Sequence, residues 1–162
     1  DEKEEAAQGV LAVLKAYFPE QSLGSHSSFQ EWTALSEAYT LVSPRIVASV
    51  HLGAVHVNGE VPFSAIPRLG GFLNFPGVRS DRFAARDLWG SWTEAKYALG
   101  SGAFSLGGFA SAAGEILRSP VKFGTGAFLE NRSTRFRKKQ FRLEVGVFAG
   151  EFFVGGNAGF FL

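Results

Sequence analysis

QFRLEVGVFA, residues 140–149, alternates without a break: Phe141, Leu143, Val145, Val147 and Ala149 fall on one side, Gln140, Arg142, Glu144 and Gly146 on the other. A period of two sends successive side chains to opposite faces of a β-strand. RIVASVHLGAV, residues 45–55, repeats the pattern, with Ile46, Ala48, Val50, Leu52 and Ala54 opposing Val47, Ser49, His51 and Gly53. In LWGSWTEAKYAL, residues 88–99, Glu94 and Lys96 share a face with Gly90 and Trp92, opposite Trp89, Ala95, Tyr97 and Leu99, a face that Ser91 and Thr93 dilute. Trp32–Val42, Ala103–Leu117, Val121–Glu130 and Glu151–Leu162 read as further strands. The count comes to about seven or eight strands of roughly ten residues each. Asn58-Gly59 carries the signal of a type I′ hairpin turn, and Gly100-Ser101-Gly102 reads as another turn. The expectation is an all-β, antiparallel meander.

The first residues follow another rule. Val10, Leu11, Val13, Leu14, Tyr17 and Phe18 recur at helical spacing, acidic residues fill the opening turn, and Pro19 follows. This predicts one N-terminal amphipathic helix over residues 1–19, followed by a β-barrel segment over 20–162 with a long inserted loop at 62–84.

Alternation does not say which face is wet. A lipocalin-like barrel turns its apolar face inward; a transmembrane barrel turns it outward. Here the polar faces are poor in charge and rich in Gly and Ser, as in a crowded lumen. Trp89 and Tyr97 lie on one face, about 26 Å apart along a strand. Tilted, that spans about 20 Å, close to the separation of two interfacial aromatic girdles. The expected fold is an antiparallel transmembrane β-barrel, or half of a larger one.

Composition narrows the function. The net charge of +1 offers no general attraction for nucleic acid, and the absence of Cys removes thiolate ligands and a cysteine nucleophile. No apolar run is long enough for a transmembrane helix, and the lack of Met reads as a processed chain or a fragment. His26, His51 and His56 show no ligand spacing, and neither a nucleophile elbow nor a dinucleotide fingerprint is present. No catalytic residue, metal site or cofactor is therefore expected. Arg132, Arg135, Arg137, Lys138 and Lys139 form the one concentrated charge. They read either as a solvated hairpin tip or as a contact for anionic lipid head groups or lipopolysaccharide phosphates.

The long loop carries a family resemblance. RIVASVHLGAVHV is followed by VPFSAIPRLGG, then FLNFPGVRSDRF, then the aromatic strand DLWGSWTEAKYAL. This order resembles the C-terminal barrel of the bacterial surface antigen superfamily, which includes BamA- and TamA-type insertases and the translocator barrels fused to patatin-like phospholipases. Gly70-Gly71-Phe72-Leu73-Asn74-Phe75-Pro76-Gly77-Val78 is closer to the patatin-type form, and Pro76 stands where the insertase loop carries Arg. The resemblance implies a sixteen-stranded outer-membrane barrel, bacterial or organellar, of which this chain supplies about half. It further implies a role in protein insertion or passenger translocation, with lipid or lipopolysaccharide and other barrel strands or subunits as partners. Leu69, Gly70, Gly71, Phe72, Phe75, Gly77, Arg79 and Arg82 would form the lumenal loop motif. Arg79 or Arg82 would pair with Glu94 or Glu144, and Lys96 and Arg142 would share that inner wall. Two other readings stay open: a soluble β-barrel binding an apolar ligand, and a structural membrane barrel without transport.

Overall fold

The computed structural model describes residues 8–17, 28–69, 75–78, 83–100, 103–116, 120–132 and 139–158. Alternation becomes long strands: β1 (Gln8–Tyr17), β2 (Phe29–Ser43) and β3 (Ile46–Gly59), then β6 (Asp87–Leu99), β7 (Phe104–Glu115), β8 (Lys122–Arg132), β9 (Lys139–Phe148) and β10 (Glu151–Ala158). Between β3 and β6, the two-residue strands β4 (Arg68–Leu69) and β5 (Phe83–Ala84) pair only with each other. The eight long strands form one antiparallel sheet in the order β1-β2-β3-β6-β7-β8-β9-β10. Among the described residues no ladder joins β1 to β10, so the sheet has two free edges.

Among the described residues the predicted N-terminal helix is not formed. Gln8–Tyr17 is a strand paired along its whole length with β2, from Gln8↔Thr40 to Tyr17↔Glu31. The residues that suggested a helical stripe divide between the two faces of the strand, Val10 and Leu14 on one and Leu11, Val13 and Tyr17 on the other, and Gly9 with the β-branched Val10 and Val13 weakens a helix. The decisive factor is non-local: a ladder on the edge of β2 satisfies backbone groups on both strands at once.

Two-residue turns join β2 to β3 at Pro44-Arg45 and β9 to β10 at Ala149-Gly150. The expected hairpin at Asn58-Gly59 is corrected: these residues end β3, paired with Gln30 and Phe29, and the chain leaves the sheet there. The type I′ geometry sits instead at Ala149 (φ 51°) and Gly150 (φ 82°), a turn whose first residue is the one described non-glycine residue with positive φ. Asn tolerates that conformation better than Ala. Ala149→Asn is therefore expected to stabilise the hairpin by roughly 0.5–1 kcal/mol. An unchanged or lower denaturation midpoint would contradict the turn assignment.

The sheet is curled. Phe109 on β7 and Phe153 on β10 lie with ring centroids 6.2 Å apart although their strands are three apart in the sheet. In a flat sheet that separation would be about 14 Å at the backbone, so the faces bearing these rings turn toward each other. The concave face holds the core: Val55, Val57, Leu88, Ala113 and Phe148 pack with Leu69 and Phe75 from the chain between β3 and β6. A single sheet needs a second layer to bury its apolar side chains. Here the β3–β6 connection supplies it.

The convex face is apolar and uncovered. Val10, Leu14, Val50, Leu52, Phe123, Leu143, Val145, Phe152 and Val154 are all exposed on it. Apart from Asp87, the first residue of β6, no strand residue on this face whose side chain is described carries a charge. The strand charges are gathered on the concave side.

Candidate functional site

The site is the seam between the concave face and residues 60–86. The segment is fastened at its base, where Val57 N–H donates to the Arg86 carbonyl (2.8 Å), Ala85 N–H to the Pro67 carbonyl (3.2 Å), and Arg86 Nη1 to the Gly59 carbonyl (3.2 Å). Phe75 is the buried anchor, 3% exposed. Its ring meets Trp92 of β6 (5.4 Å) and Phe148 of β9 (5.8 Å) edge-on. Gly90 makes room for it, because a Cβ there would lie 2.7 Å from the Phe75 ring. Phe83 packs on Phe148 as well, and Lys122 Nζ lies 3.8 Å over the Phe83 ring.

Gly77 is the second fixed point. Its φ of +84° belongs to the left-handed region, and a Cβ would lie 2.7 Å from the Phe153 ring and 3.3 Å from Phe109. Its N–H donates to Glu144 Oε2 at 3.1 Å. The segment therefore reaches from β6 across to β10.

Glu144 belongs to a wider polar network. Arg142, 4% exposed, donates from Nη1 to Glu94 Oε2 (3.0 Å). Its Nη2 and Nε lie within ion-pair distance of Glu94 (2.8 Å) and Glu144 (2.5 Å), without the angles of hydrogen bonds. Glu130, almost fully buried, lies 3.9 Å from Arg142 Nη1 and accepts from Lys96 Nζ at 3.3 Å. The guanidinium also rests 3.7 Å from the centroid of Phe128. Two cations thus serve three carboxylates, and the Gly77 amide supplies a further donor. Charges removed from water this far need such mutual compensation.

A neighbouring column extends the inner surface. His51 stacks on Trp92 (centroids 4.6 Å, planes 3° apart), with Nε2 2.9 Å from Ser49 Oγ and Nδ1 3.8 Å from the Glu37 carboxylate. Chemically the arrangement positions the segment: the charged groups engage one another and, through the Gly77 amide, the chain between β3 and β6.

The residues singled out from the sequence are distributed as follows. Glu94, Lys96, Arg142 and Glu144 are brought together on the concave face. Leu69, Phe75 and Gly77 are buried against it. Gly70, Gly71, Phe72, Arg79 and Arg82 lie outside the described residues, so the expected pairing of Arg79 or Arg82 is not among the contacts. The carboxylates expected to receive that arginine are engaged by Arg142 and the Gly77 amide. Arg132 ends β8 and Lys139 begins β9; their side chains, and all of Arg135, Arg137 and Lys138, also fall outside the description.

Sequence reasoning missed Glu130, Phe128 and the Trp92–His51 stack. A signal for Glu130 existed: in KFGTGAFLENR it shares one face with Gly124, Gly126 and Phe128, the surroundings of a buried and compensated acid. Compared with known proteins, the chain matches no family model and no curated protein sequence.

Proposed function

We propose that this chain is part of an outer-membrane β-barrel of the surface antigen type, acting in insertion of outer-membrane proteins or in translocation of a passenger. The observation that carries the membrane reading is the convex face. Trp32, Trp89, Phe123 and Phe152 lie toward one end of the strands, and Tyr97, Phe104 and Phe141 toward the other. Between these rims the outward positions carry Ala48, Val50, Leu52, Ala95, Leu106, Ala110, Ala127, Leu143 and Val145, with the uncharged Ser36, Ser91, Thr93 and Thr125 among them. An uncharged apolar band between two aromatic girdles fits a bilayer and is costly in water. Tyr97 also accepts from Arg45 Nη1 at 3.2 Å, at the strand end where a polar head group would lie.

The inner side supports the rest of the reading. Charges gathered there and covered by a folded-back segment suit a lumen that is sealed at rest. The sequence from Leu69 to Gly77, which resembles the superfamily loop, is also the part of the segment that includes its anchors. In a bacterium the site of action would be the outer membrane, with lipid as the surrounding partner; an organellar equivalent has the same physics. For the soluble-carrier reading, the cavity beside the segment, lined by Leu69, Phe83, Leu88 and Ala113, measures about 150 Å³, and a second cleft of about 430 Å³ lies at the sheet edge among Val10, Tyr39, Thr40 and Val50, away from the concave core. Ligand pockets commonly need about 300–1,000 Å³.

The test is solubility. The chain is expected to require detergent or lipid to remain dispersed, and stable monomers in plain buffer would refute the membrane reading. A companion measurement uses Val145, 42% exposed on the convex face. Val145→Arg is expected to cost about 2–4 kcal/mol in a bilayer if the residue lies near the midplane, whereas Val145→Thr should cost much less. Equal folding of both variants in liposomes would refute lipid exposure at this face.

A further inference from the structure

We infer that Arg45 and Tyr97, at the aromatic rim beside the β2–β3 turn, bind the phosphate of an anionic phospholipid head group. The inference rests on the membrane reading and adds which lipid is held, and where.

Arg45 is set in place by its backbone. Its N–H donates to Ser43 Oγ (3.4 Å), and its carbonyl accepts from Ala98 N–H on β6 (2.8 Å). The exposed guanidinium then reaches Tyr97 on the same strand, donating from Nη1 to the phenol oxygen at 3.2 Å. Tyr97 stands on the convex face, 42% exposed, at the rim it shares with Phe104 and Phe141. An aromatic ring with a polar tip at such a rim marks the boundary between hydrocarbon and head groups. Because the phenol oxygen accepts from Arg45, its own O–H is left to donate. A guanidinium is a planar fork of N–H donors, and Tyr97 takes a bond from Nη1 alone among the described contacts. Donors on both side chains thus converge at head-group level on the lipid-facing side. Phosphate oxygens are the acceptors such a pair suits best.

Charge at this end is one-sided. The connections here, with the strand residues that flank them, carry Arg45, Arg132, Arg135, Arg137, Lys138 and Lys139 and no acid. Asp1, Glu2, Glu4 and Glu5 precede β1, which begins at this end, and are outnumbered by these basic residues. The connections at the opposite end mix both signs, with Glu20, Glu60, Asp81, Asp87, Glu115 and Glu151 among their residues and flanks. Basic residues beside a membrane draw anionic lipid toward it. They set the sign of the field; the site itself is Arg45 with Tyr97.

Connection length selects the leaflet. At the Arg45 end the strands are joined by residues 44–45, 100–103 and 133–138; at the other end by 18–28, 60–86, 116–121 and 149–150. Outer-membrane barrels keep short turns on the periplasmic side and longer loops outside. The Arg45 end therefore meets the periplasmic leaflet, which is built of glycerophospholipids, while lipopolysaccharide occupies the other leaflet.

The test is native mass spectrometry of the full chain in detergent with equal amounts of dioleoyl phosphatidylglycerol and phosphatidylcholine. Phosphatidylglycerol is expected to be retained in preference. Arg45→Gln should lower that preference about fivefold, the effect of one basic residue beside an anionic lipid. Tyr97→Phe keeps the net charge and the ring and should still lower the preference, which a diffuse charge effect would not do. Arg118→Gln removes the same charge from the β7–β8 connection at the opposite end and should leave the preference as it was. Excess glycerol phosphate should not displace the lipid; displacement would make this a site for free phosphate and overturn the inference. Stronger retention of lipid A than of phosphatidylglycerol would overturn the choice of leaflet and lipid. Equal retention of the two phospholipids, or an unchanged preference in both Arg45→Gln and Tyr97→Phe, would overturn the site, while folding of the chain into phosphatidylcholine liposomes would leave the membrane reading intact. A chain that stays monomeric in plain buffer and never enters liposomes would overturn the membrane reading itself.

Discussion

Arg142→Ala is expected to destabilise the chain by about 3–5 kcal/mol, the cost of leaving buried charges without their partner. Glu94, Glu130 and Glu144 would then face one another with Lys96 as the remaining cation of the network. Phe128 would also lose the guanidinium packed on its ring. The loss should be largest at neutral pH and smaller in acid, because protonated carboxyls no longer repel and need no cation. Arg142→Met combined with Glu94→Gln and Glu144→Gln should recover much of the stability, since an uncharged set of similar volume avoids the desolvation cost. Urea midpoints in detergent micelles would measure both. A loss under about 1 kcal/mol for Arg142→Ala would mean that the three carboxylates are hydrated, and the picture of a dry, sealed concave face would fail.

The strands and their faces were legible because alternation is a local signal with a sharp physical meaning. Phe141, Leu143 and Val145 could be assigned to one face, and Arg142 with Glu144 to the other, from ten residues alone. The N-terminal strand was not legible, since the apolar residues of Gln8–Tyr17 fit a helical stripe and run together without alternating. Its state is decided by the free edge of β2, a partner that no local window contains. The turn at Ala149-Gly150 was missed for the opposite reason: its backbone conformation is imposed by the strands it joins, and Ala gives no hint of it. At the site, sequence could name Glu94, Lys96, Arg142 and Glu144 as sharing the inner face. It could not say which cation each carboxylate takes, because that depends on curl. Arg142 and Glu94 sit on strands three apart and meet only because the sheet bends.

Gly77→Val is the change expected to unseat the segment. The backbone at φ +84° disfavours any L side chain, by roughly 1–2 kcal/mol, and a β-branched one more so. The new side chain would also meet the Phe153 ring at 2.7 Å from its Cβ. Overpacking of that kind adds about 1–3 kcal/mol. Either the Phe109–Phe153 pair opens or the loop lifts, and lifting is the easier course. Among the described residues the segment is fastened in this region by Phe75 and the Gly77 N–H bond to Glu144, whereas β7 and β10 are held by ladders. The strands should therefore persist while the seal fails: circular dichroism unchanged, protease cleavage within residues 70–82 accelerated, and conductance of the reconstituted chain raised. Gly77→Ala should show the same pattern more weakly, and Phe75→Ala should reproduce it by removing the other anchor. If Gly77→Val left both cleavage and conductance at the unmodified level, the segment would not be the seal. If it abolished the β-sheet signal, residues 75–78 would instead be part of what holds the sheet together.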